Sequence, residues 1–97
     1  MVVMEGWVEV DRRWGRPGYE PTTVACIASG FVSEIVCFAN GRFVNGKDAM
    51  SVMSLRVRPG TEVRIVATGP DEAAAVQAVC EVLGPQRAAA DVYRQTC

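Results

Sequence analysis

The chain has 97 residues, 10 basic and 11 acidic side chains, and a formal net charge of −1. This balance gives no excess of positive charge for binding nucleic acid. No apolar run approaches the roughly 20 residues of a membrane-spanning helix. The alternating residues 1–10 carry Glu5 and Glu9, which argues against a signal peptide. We therefore expect one small domain in the cytoplasm, with neither nucleic acid nor a membrane as its partner.

The four cysteines are scattered along the chain, and there is no histidine. Zinc and similar ions need clustered Cys or His ligands, and no Cys-x-x-Cys pair occurs, so we predict no metal and no cofactor. A disulfide framework is not expected without a secretory signal. Cys37 and Cys80 are interpreted as small hydrophobic residues of the core.

The first half of the chain predicts two strands and one helix. Residues 4–10 alternate between apolar and polar, as a half-buried strand does. A Gly/Pro-rich loop over residues 11–18 is followed by a helix over about 19–29, with Gly30 just past its end. Residues 33–39 alternate as a second strand, and Asn40-Gly41 is a typical hairpin turn.

The second half predicts two further strands and two helices. Residues 42–45 are a short strand, and Asp48 is a suitable N-cap for a short helix ending near Leu55. Residues 62–68 alternate as a strand, and the apolar positions after Glu72 repeat every three or four residues up to Gly84. The order βαββαβα predicts an α+β open-faced sandwich, with a four-stranded antiparallel sheet and three helices on one face. Residues 1–84 would form this domain, and residues 85–97 an Ala-rich C-terminal extension of helical character.

A set of short motifs runs through GFVSEIVCFANGRFVNGKDAMSVMSLRVRPGTEVRIVATGPDEAAAVQAV. The set comprises Gly-Phe, Ser-Glu-Ile, Asn-Gly, Ser-Leu before Pro-Gly, and Gly-x-Asp-Glu before an Ala-rich helix. Each motif is weak alone, but their combination resembles HPr, the histidine-containing phosphocarrier family of the bacterial sugar phosphotransferase system. The resemblance extends over about residues 8–83 and implies the HPr fold.

The resemblance also implies a phosphoryl-accepting histidine at the start of the first helix, whose N-terminus would stabilise the anion. Here Pro17 stands at the histidine position, Tyr19 at the position of an arginine and Glu20 at that of a proline. Proline has no nucleophilic nitrogen, and Glu20 would repel phosphate. We therefore predict no catalytic residue and no phosphotransfer of the usual kind.

A second site of the family is a regulatory serine that caps the second helix, and this chain has Asp48 there. One interpretation is that the aspartate only caps the helix, as serine would. The other is that it permanently mimics a phosphoserine. Such mimicry would be partial, because a carboxylate has less charge and fewer acceptor oxygens than a phosphate.

The resemblance further implies a protein-docking surface on the first two helices. The matching positions are Tyr19, Thr22, Cys26, Ala49, Met50, Val52 and Met53. Flexible methionines suit adaptable interfaces, although the competing interpretation places them in the core. Lysines usual in the family are replaced by Cys26, Ser29 and Ser51, so acidic partners would bind more slowly and weakly.

The strand residues that should face away from the helices are unusually apolar. They are Trp7, Val36, Phe38, Phe43 and Val66. A sheet with one solvated face should alternate, so this patch predicts a second interface. A second copy of the chain or the extension, with Val92 and Tyr93, would cover it. The remaining alternative is that the register of one strand is wrong.

These observations predict a non-catalytic protein-binding or regulatory module rather than an enzyme, with an unidentified protein partner. The alternative is a phosphocarrier-like or thiol-based carrier that uses another nucleophile, for which Cys26 is the best candidate. A reactive thiolate needs a basic neighbour or a helix N-terminus, whereas Cys26 is predicted in the middle of a helix.

Overall fold

The computed structural model describes residues 3–84. Four strands and three helices alternate in the predicted βαββαβα order, and the helices pack on one face of the sheet. The predicted extension, residues 85–97, lies outside the described residues. The elements are β1 (Met4–Glu9), α1 (Pro21–Ser29), β2 (Glu34–Ala39), β3 (Arg42–Asn45), α2 (Ala49–Ser54), β4 (Glu62–Thr68) and α3 (Glu72–Leu83).

The sheet has the strand order β1-β4-β2-β3, and all neighbouring strands are antiparallel. Its inward side chains alternate with outward ones along each long strand, and Val63, Ile65 and Ala67 of β4 are fully buried. This alternation confirms the predicted faces, because side chains in a strand point to opposite sides with a period of two.

Helix α3 places its predicted apolar stripe against the sheet. Ala75, Val76 and Val79 are buried completely, and Val82 and Leu83 almost so. Cys37 and Cys80 belong to the same core, as predicted, and burial raises the pKa of each thiol to about 12. Within residues 3–84, no helix combines the length and the hydropathy needed to cross a lipid bilayer.

Three predicted element boundaries differ from the structure, the first being that β1 ends at Glu9 rather than at Val10. Helix α1 begins at Pro21 rather than near Tyr19, because Glu20 has an extended backbone (φ −133°) and proline suits the first helical position. Strand β2 begins at Glu34 rather than at Ser33. Ser33 is withdrawn from the strand because its N–H and its hydroxyl both donate to Asp71.

Asp71 joins the start of β2 to the turn before α3. Its carboxylate accepts hydrogen bonds from the Ser33 hydroxyl and from the N–H groups of Val32 and Ser33. The pKa of Asp71 is lowered to about 2, chiefly by the Ser33 hydroxyl and then by the N–H of Val32. Gly69 lies against Ser33 so closely that a Cβ there would collide with it, which keeps this corner tight.

We predict that Asp71→Asn lowers the free energy of unfolding and removes part of its acid dependence. Because the folded state holds the pKa below the ordinary 3.8, the carboxylate stabilises the protein fully above that pH. The contribution is lost as the pH falls from 3.8 towards about 2. Urea unfolding over this pH range measures the difference. Glu81→Gln, which removes an exposed carboxylate from α3, is the control, and an unchanged acid slope in Asp71→Asn would contradict the prediction.

Candidate protein-binding surfaces

The loop between β1 and α1 presents Pro17 to solvent, four positions before the first residue of α1. Backbone hydrogen bonds close this loop on itself: Gly15 N–H donates to Tyr19 O (2.7 Å), and Tyr19 N–H donates to Arg16 O (2.8 Å). Gly18 has φ +88°, a conformation that favours glycine. The loop therefore has a defined shape, and the side chain that it presents at Pro17 has no atom able to accept a phosphoryl group.

Arg13 holds Tyr19 in place, a contact that the sequence analysis missed. The Arg13 guanidinium lies 4.8 Å from the centre of the Tyr19 ring, and Nη1 donates to the Tyr19 hydroxyl at 3.3 Å. Nη2 lies 2.8 Å from Oδ2 of Asp11. The hydrogen bonds from Arg13 lower the pKa of Asp11, and the Asp11 carboxylate raises the pKa of Arg13. This arginine is therefore engaged by groups of its own loop.

The exposed sides of α1 and α2 contain most of the predicted docking residues. In α1, Thr22 and Cys26 are exposed, and the helix packs against α2 through its other sides. In α2, Met50 is 77% exposed and Met53 is 57% exposed, while Ala49 is half-buried. The exposure of both methionines contradicts the interpretation that they belong to the core.

The prediction that Val52 lies on the docking surface is wrong. Val52 is only 3% exposed and belongs to the hydrophobic core cluster. Helix α2 has six residues, so at least one side chain near its middle must face the core to hold the helix in place. Val52 provides that anchor, followed by the buried Leu55 at the helix end.

Asp48 occupies the N-cap position of α2, as predicted, but its side chain does not cap the backbone. Its Oδ2 instead accepts a hydrogen bond from the Ser51 hydroxyl at 2.6 Å. The Asp48 carbonyl accepts the first helical bond, from Val52 N–H at 3.0 Å. The expectation that the Asp48 carboxylate caps backbone N–H groups is therefore wrong. The carboxylate accepts its hydrogen bond from the hydroxyl of Ser51 instead.

Two of the positions at which the family usually has lysine carry serines whose hydroxyls bond close to their own backbone positions. The Ser29 hydroxyl donates to Ala25 O at 2.7 Å, and the Ser51 hydroxyl donates to Asp48. Lys47 lies before α2, but its Nζ donates to Phe31 O at 2.8 Å. The methionine-bearing surface of α2 is accordingly apolar rather than cationic.

The open face of the sheet, the side opposite the helices, brings all five predicted apolar residues together. One row across the strands contains Trp7, Arg64, Phe38 and Phe43, and the next contains Glu5, Val66, Val36 and Asn45. The Phe38 and Phe43 ring centres are 4.4 Å apart, and Phe43 is 66% exposed. The alternative of a wrong strand register is therefore excluded.

Arg64 and Glu5 lie within this apolar surface and were missed by the sequence analysis. Arg64 Nη2 donates to Glu5 Oε2 at 3.1 Å, and Nε lies 3.1 Å from Oε1. The guanidinium is 5.9 Å from the centre of the Trp7 ring. An open recess of about 160 Å³ is lined by Trp7, Phe38, Glu62 and Arg64.

Cys26 is the exposed cysteine among the three within residues 3–84. It is the sixth residue of the nine-residue α1, well away from the helix N-terminus that would favour a thiolate. Over the same residues, no group of three or more His, Cys, Asp and Glu side chains is arranged to hold a metal ion.

We predict unequal losses of stability for two neighbouring truncations in α2. Val52→Ala should lower the free energy of unfolding by about 2 kcal/mol, because it empties a buried site. Met50→Ala should change it by no more than about 0.5 kcal/mol, because the side chain is exposed. Chemical denaturation of both variants measures the difference, and equal losses would contradict the burial of Val52.

We predict that a thiol reagent at pH 8 modifies Cys26 while Cys37 and Cys80 stay unmodified in the folded protein. Both buried thiols have a pKa of about 12, so neither accessibility nor ionisation favours their reaction. Mass spectrometry of the peptides measures the modification, with a urea-unfolded sample as the positive control. Modification of Cys80 as fast as Cys26 would contradict the core described above.

A family model described as "PTS HPr component phosphorylation site" matches residues 21–84. The match begins at Pro21, so the loop carrying Pro17 precedes the matched residues. The HPr-like protein Crh of Bacillus subtilis (strain 168) is 42% identical over 50 residues, which make up 52% of this chain and 59% of Crh. The chain thus matches about three-fifths of the length of that relative.

Solved structures resemble the whole sandwich. The phosphocarrier protein HPr of Bacillus anthracis str. Ames has a TM-score of 0.73 and 25% identity, over 84% of this chain and 96% of that protein. A crystal structure of Bacillus subtilis Crh, described as an intertwined dimer with a swapped domain, has a TM-score of 0.61 and 30% identity. It covers 78% of this chain and 83% of Crh.

Proposed function

Because this chain belongs to the HPr family, we propose that it is a protein-binding, regulatory member that does not carry phosphate on histidine. The observation that carries the proposal is that the chain contains no histidine. The resemblance to HPr implies that Pro17 stands at the position of the phosphoryl acceptor. Its role is to occupy a protein partner through contact surfaces, without catalysing a reaction.

The environment of Pro17 supports the loss of phosphotransfer. An acceptor at the start of α1 would need a nucleophilic nitrogen and a positive or neutral surrounding for the incoming phosphate. Glu20, the N-cap residue of α1, brings a carboxylate instead, and Arg13 is engaged by Asp11 and Tyr19. Replacing Pro17 by histidine alone would therefore leave a site whose charge disfavours an incoming phosphate.

The docking surface that we propose is formed by the exposed sides of α1 and α2 with the adjacent end of the loop. Its residues are Tyr19, Thr22, Cys26, Ala49, Met50 and Met53. Exposed methionines favour binding by apolar contact, since the thioether side chain adapts to an irregular partner at little cost. The absence of basic side chains within α1 and α2 favours a partner recognised by apolar complementarity over one attracted by charge.

We assign Asp48 a structural role in this proposal. Its carboxylate accepts from Ser51 within the first turn of α2, which supports local stabilisation rather than a phosphate-like signal. An aspartate also offers no hydroxyl to a kinase, so regulation by phosphorylation of this position is lost in either interpretation.

A thiol carrier and a homodimer are the two alternatives to this proposal. A thiol carrier based on Cys26 is favoured only by its exposure, and its position in α1 gives the thiol no activating neighbour of the kind that catalysis requires. A second copy of the chain as partner is suggested by the Crh structure described as a dimer.

We predict that incubation with phosphoenolpyruvate and the general phosphotransferase enzyme leaves this chain without a phosphoryl group. An authentic HPr, such as that of Bacillus anthracis, is the positive control, and intact-mass spectrometry under alkaline conditions is the measurement. Pro17→His should become phosphorylated, but much more slowly than HPr, because Glu20 and the missing lysines weaken the encounter. Stable phosphorylation of the unmodified chain would overturn the proposal.

A further inference from the structure

Strand β3 lies at the edge of the sheet, and its outer side is open. The strand order β1-β4-β2-β3 leaves β3 with β2 as its one neighbour. Across these two strands the Gly46 N–H donates to Ile35 O at 2.8 Å. Because the backbone groups of a strand alternate in direction, Val44 also faces β2. Phe43 and Asn45 therefore direct their N–H and C=O groups outward, away from the sheet.

Most of these outward groups are free to bind another strand. Among residues 3–84, the N–H and C=O of Phe43 and the N–H of Asn45 have no hydrogen-bond partner, whereas the Asn45 C=O accepts from Asp48 N–H at 3.2 Å. The side chains of Arg42, Phe43 and Asn45 are exposed, so nothing in the described part of the chain covers this edge. An open edge with unpaired backbone groups is a template for an added strand.

An open groove of about 500 Å³ adjoins the same edge. Its lining includes Glu34 and Val36 of β2 and Phe43 and Asn45 of β3. These four residues lie on the open sheet face, because their neighbours along each strand point towards the helices. The groove is of the size at which proteins hold small ligands or single side chains of a partner. It therefore lies where the side chains of an added strand would be placed.

Glu34 gives this groove a negative charge. It is exposed, and its carboxylate takes part in no hydrogen bond or ion pair within residues 3–84. Lys47 also lines the groove, but its Nζ donates to Phe31 O at 2.8 Å. A side chain in the groove thus meets the apolar surfaces of Val36 and Phe43 and then an unpaired carboxylate. Lysine and arginine match this order, because each has an apolar stem and a cationic end.

We propose that β3 binds an extended segment of another protein by strand addition, with a lysine or arginine of that segment in the groove. In antiparallel pairing, the residue opposite Phe43 exchanges both backbone hydrogen bonds with it. The residue opposite Asn45 comes two positions earlier in the added segment and points to the same face. Its side chain reaches over Val36 to Glu34. The segment recognised therefore has the pattern basic-x-apolar, with the apolar side chain beside the Phe43 ring.

An edge strand of a second copy of this chain fits the groove less well. Strands β1 and β3 have no basic side chain on the open sheet face. Their residues on that face are Glu5, Trp7, Glu9, Phe43 and Asn45. Arg42 lies on the other face of β3, where its Nη1 donates to Ser54 O at 3.4 Å. A strand added by a second copy would therefore leave Glu34 without a cation, so charge favours a different protein.

An NMR titration of the isotope-labelled 97-residue chain tests the proposal. The probe is the peptide Gly-Thr-Lys-Thr-Ile-Thr with blocked termini, which has the basic-x-apolar pattern. One reference peptide has glutamate in place of lysine, and the other is N-methylated at isoleucine, which removes the N–H that would donate to Phe43 O. We expect shift changes at the amides of Phe43 and Asn45 and at the Val36 methyls, with Met50 and Met53 unchanged. Each reference peptide should bind at least about fivefold more weakly.

Two matched variants test the role of the groove. Glu34→Gln should weaken binding of the lysine peptide by about two- to fivefold, as expected for one exposed ion pair. Glu81→Gln, which removes an exposed carboxylate from α3, should leave the affinity unchanged. Both positions are exposed, and the NMR spectrum of each variant reports whether it is folded.

Three results would overturn the proposal. The first is equal binding of the lysine peptide and its N-methylated form, and the second is equal affinity in Glu34→Gln and Glu81→Gln. The third is a set of shifts at Phe43 and Asn45 that depends on protein concentration alone and not on peptide, which would assign this edge to a second copy. None of these measurements involves phosphotransfer or the surface of α1 and α2, so the proposed function is tested separately.

Discussion

The register of β4 between β1 and β2 is the constraint on which the rest of the structure depends. It turns Val63, Ile65 and Ala67 towards the helices, where they are fully buried, and turns Arg64 and Val66 outward. A shift by one residue would exchange the two sets, because the side-chain period of a strand is two. Both the core and the apolar open face therefore follow from the same pairing.

The sequence predicts this architecture well wherever a periodic pattern is long. The alternation in β4 and the stripe on α3 each extend over several repeats, and every predicted inward residue of these elements is buried. It predicts α2 less well, because six residues make fewer than two turns and four of them are apolar. Which apolar side chain of α2 is buried depends on the core that packs against the helix. In the structure it is Val52. The Arg13–Tyr19 contact is likewise set by loop closure, which no local pattern encodes.

The two sides of the domain differ in the chemistry that they offer. On the helical side, Met50 and Met53 are exposed and the nearby serine hydroxyls are used within their own helices. On the sheet side, apolar rings alternate with carboxylates, and Arg64 is already paired with Glu5. Two surfaces of such different charge favour different partners, since an interface is selected by complementary potential as well as by apolar contact.

The residues that maintain the HPr fold are separate from Pro17, so the fold is compatible with a proline at this position. Phosphotransfer depends on one nucleophilic atom at the start of α1, and its removal costs the fold little, because Pro17 is exposed and contributes nothing to the core. The proposed docking surface depends instead on the relative positions of α1 and α2, and the buried Val24, Ala28 and Val52 belong to the core that holds these helices. The chemistry can thus be lost while the contact surface persists, because the two properties rest on different residues.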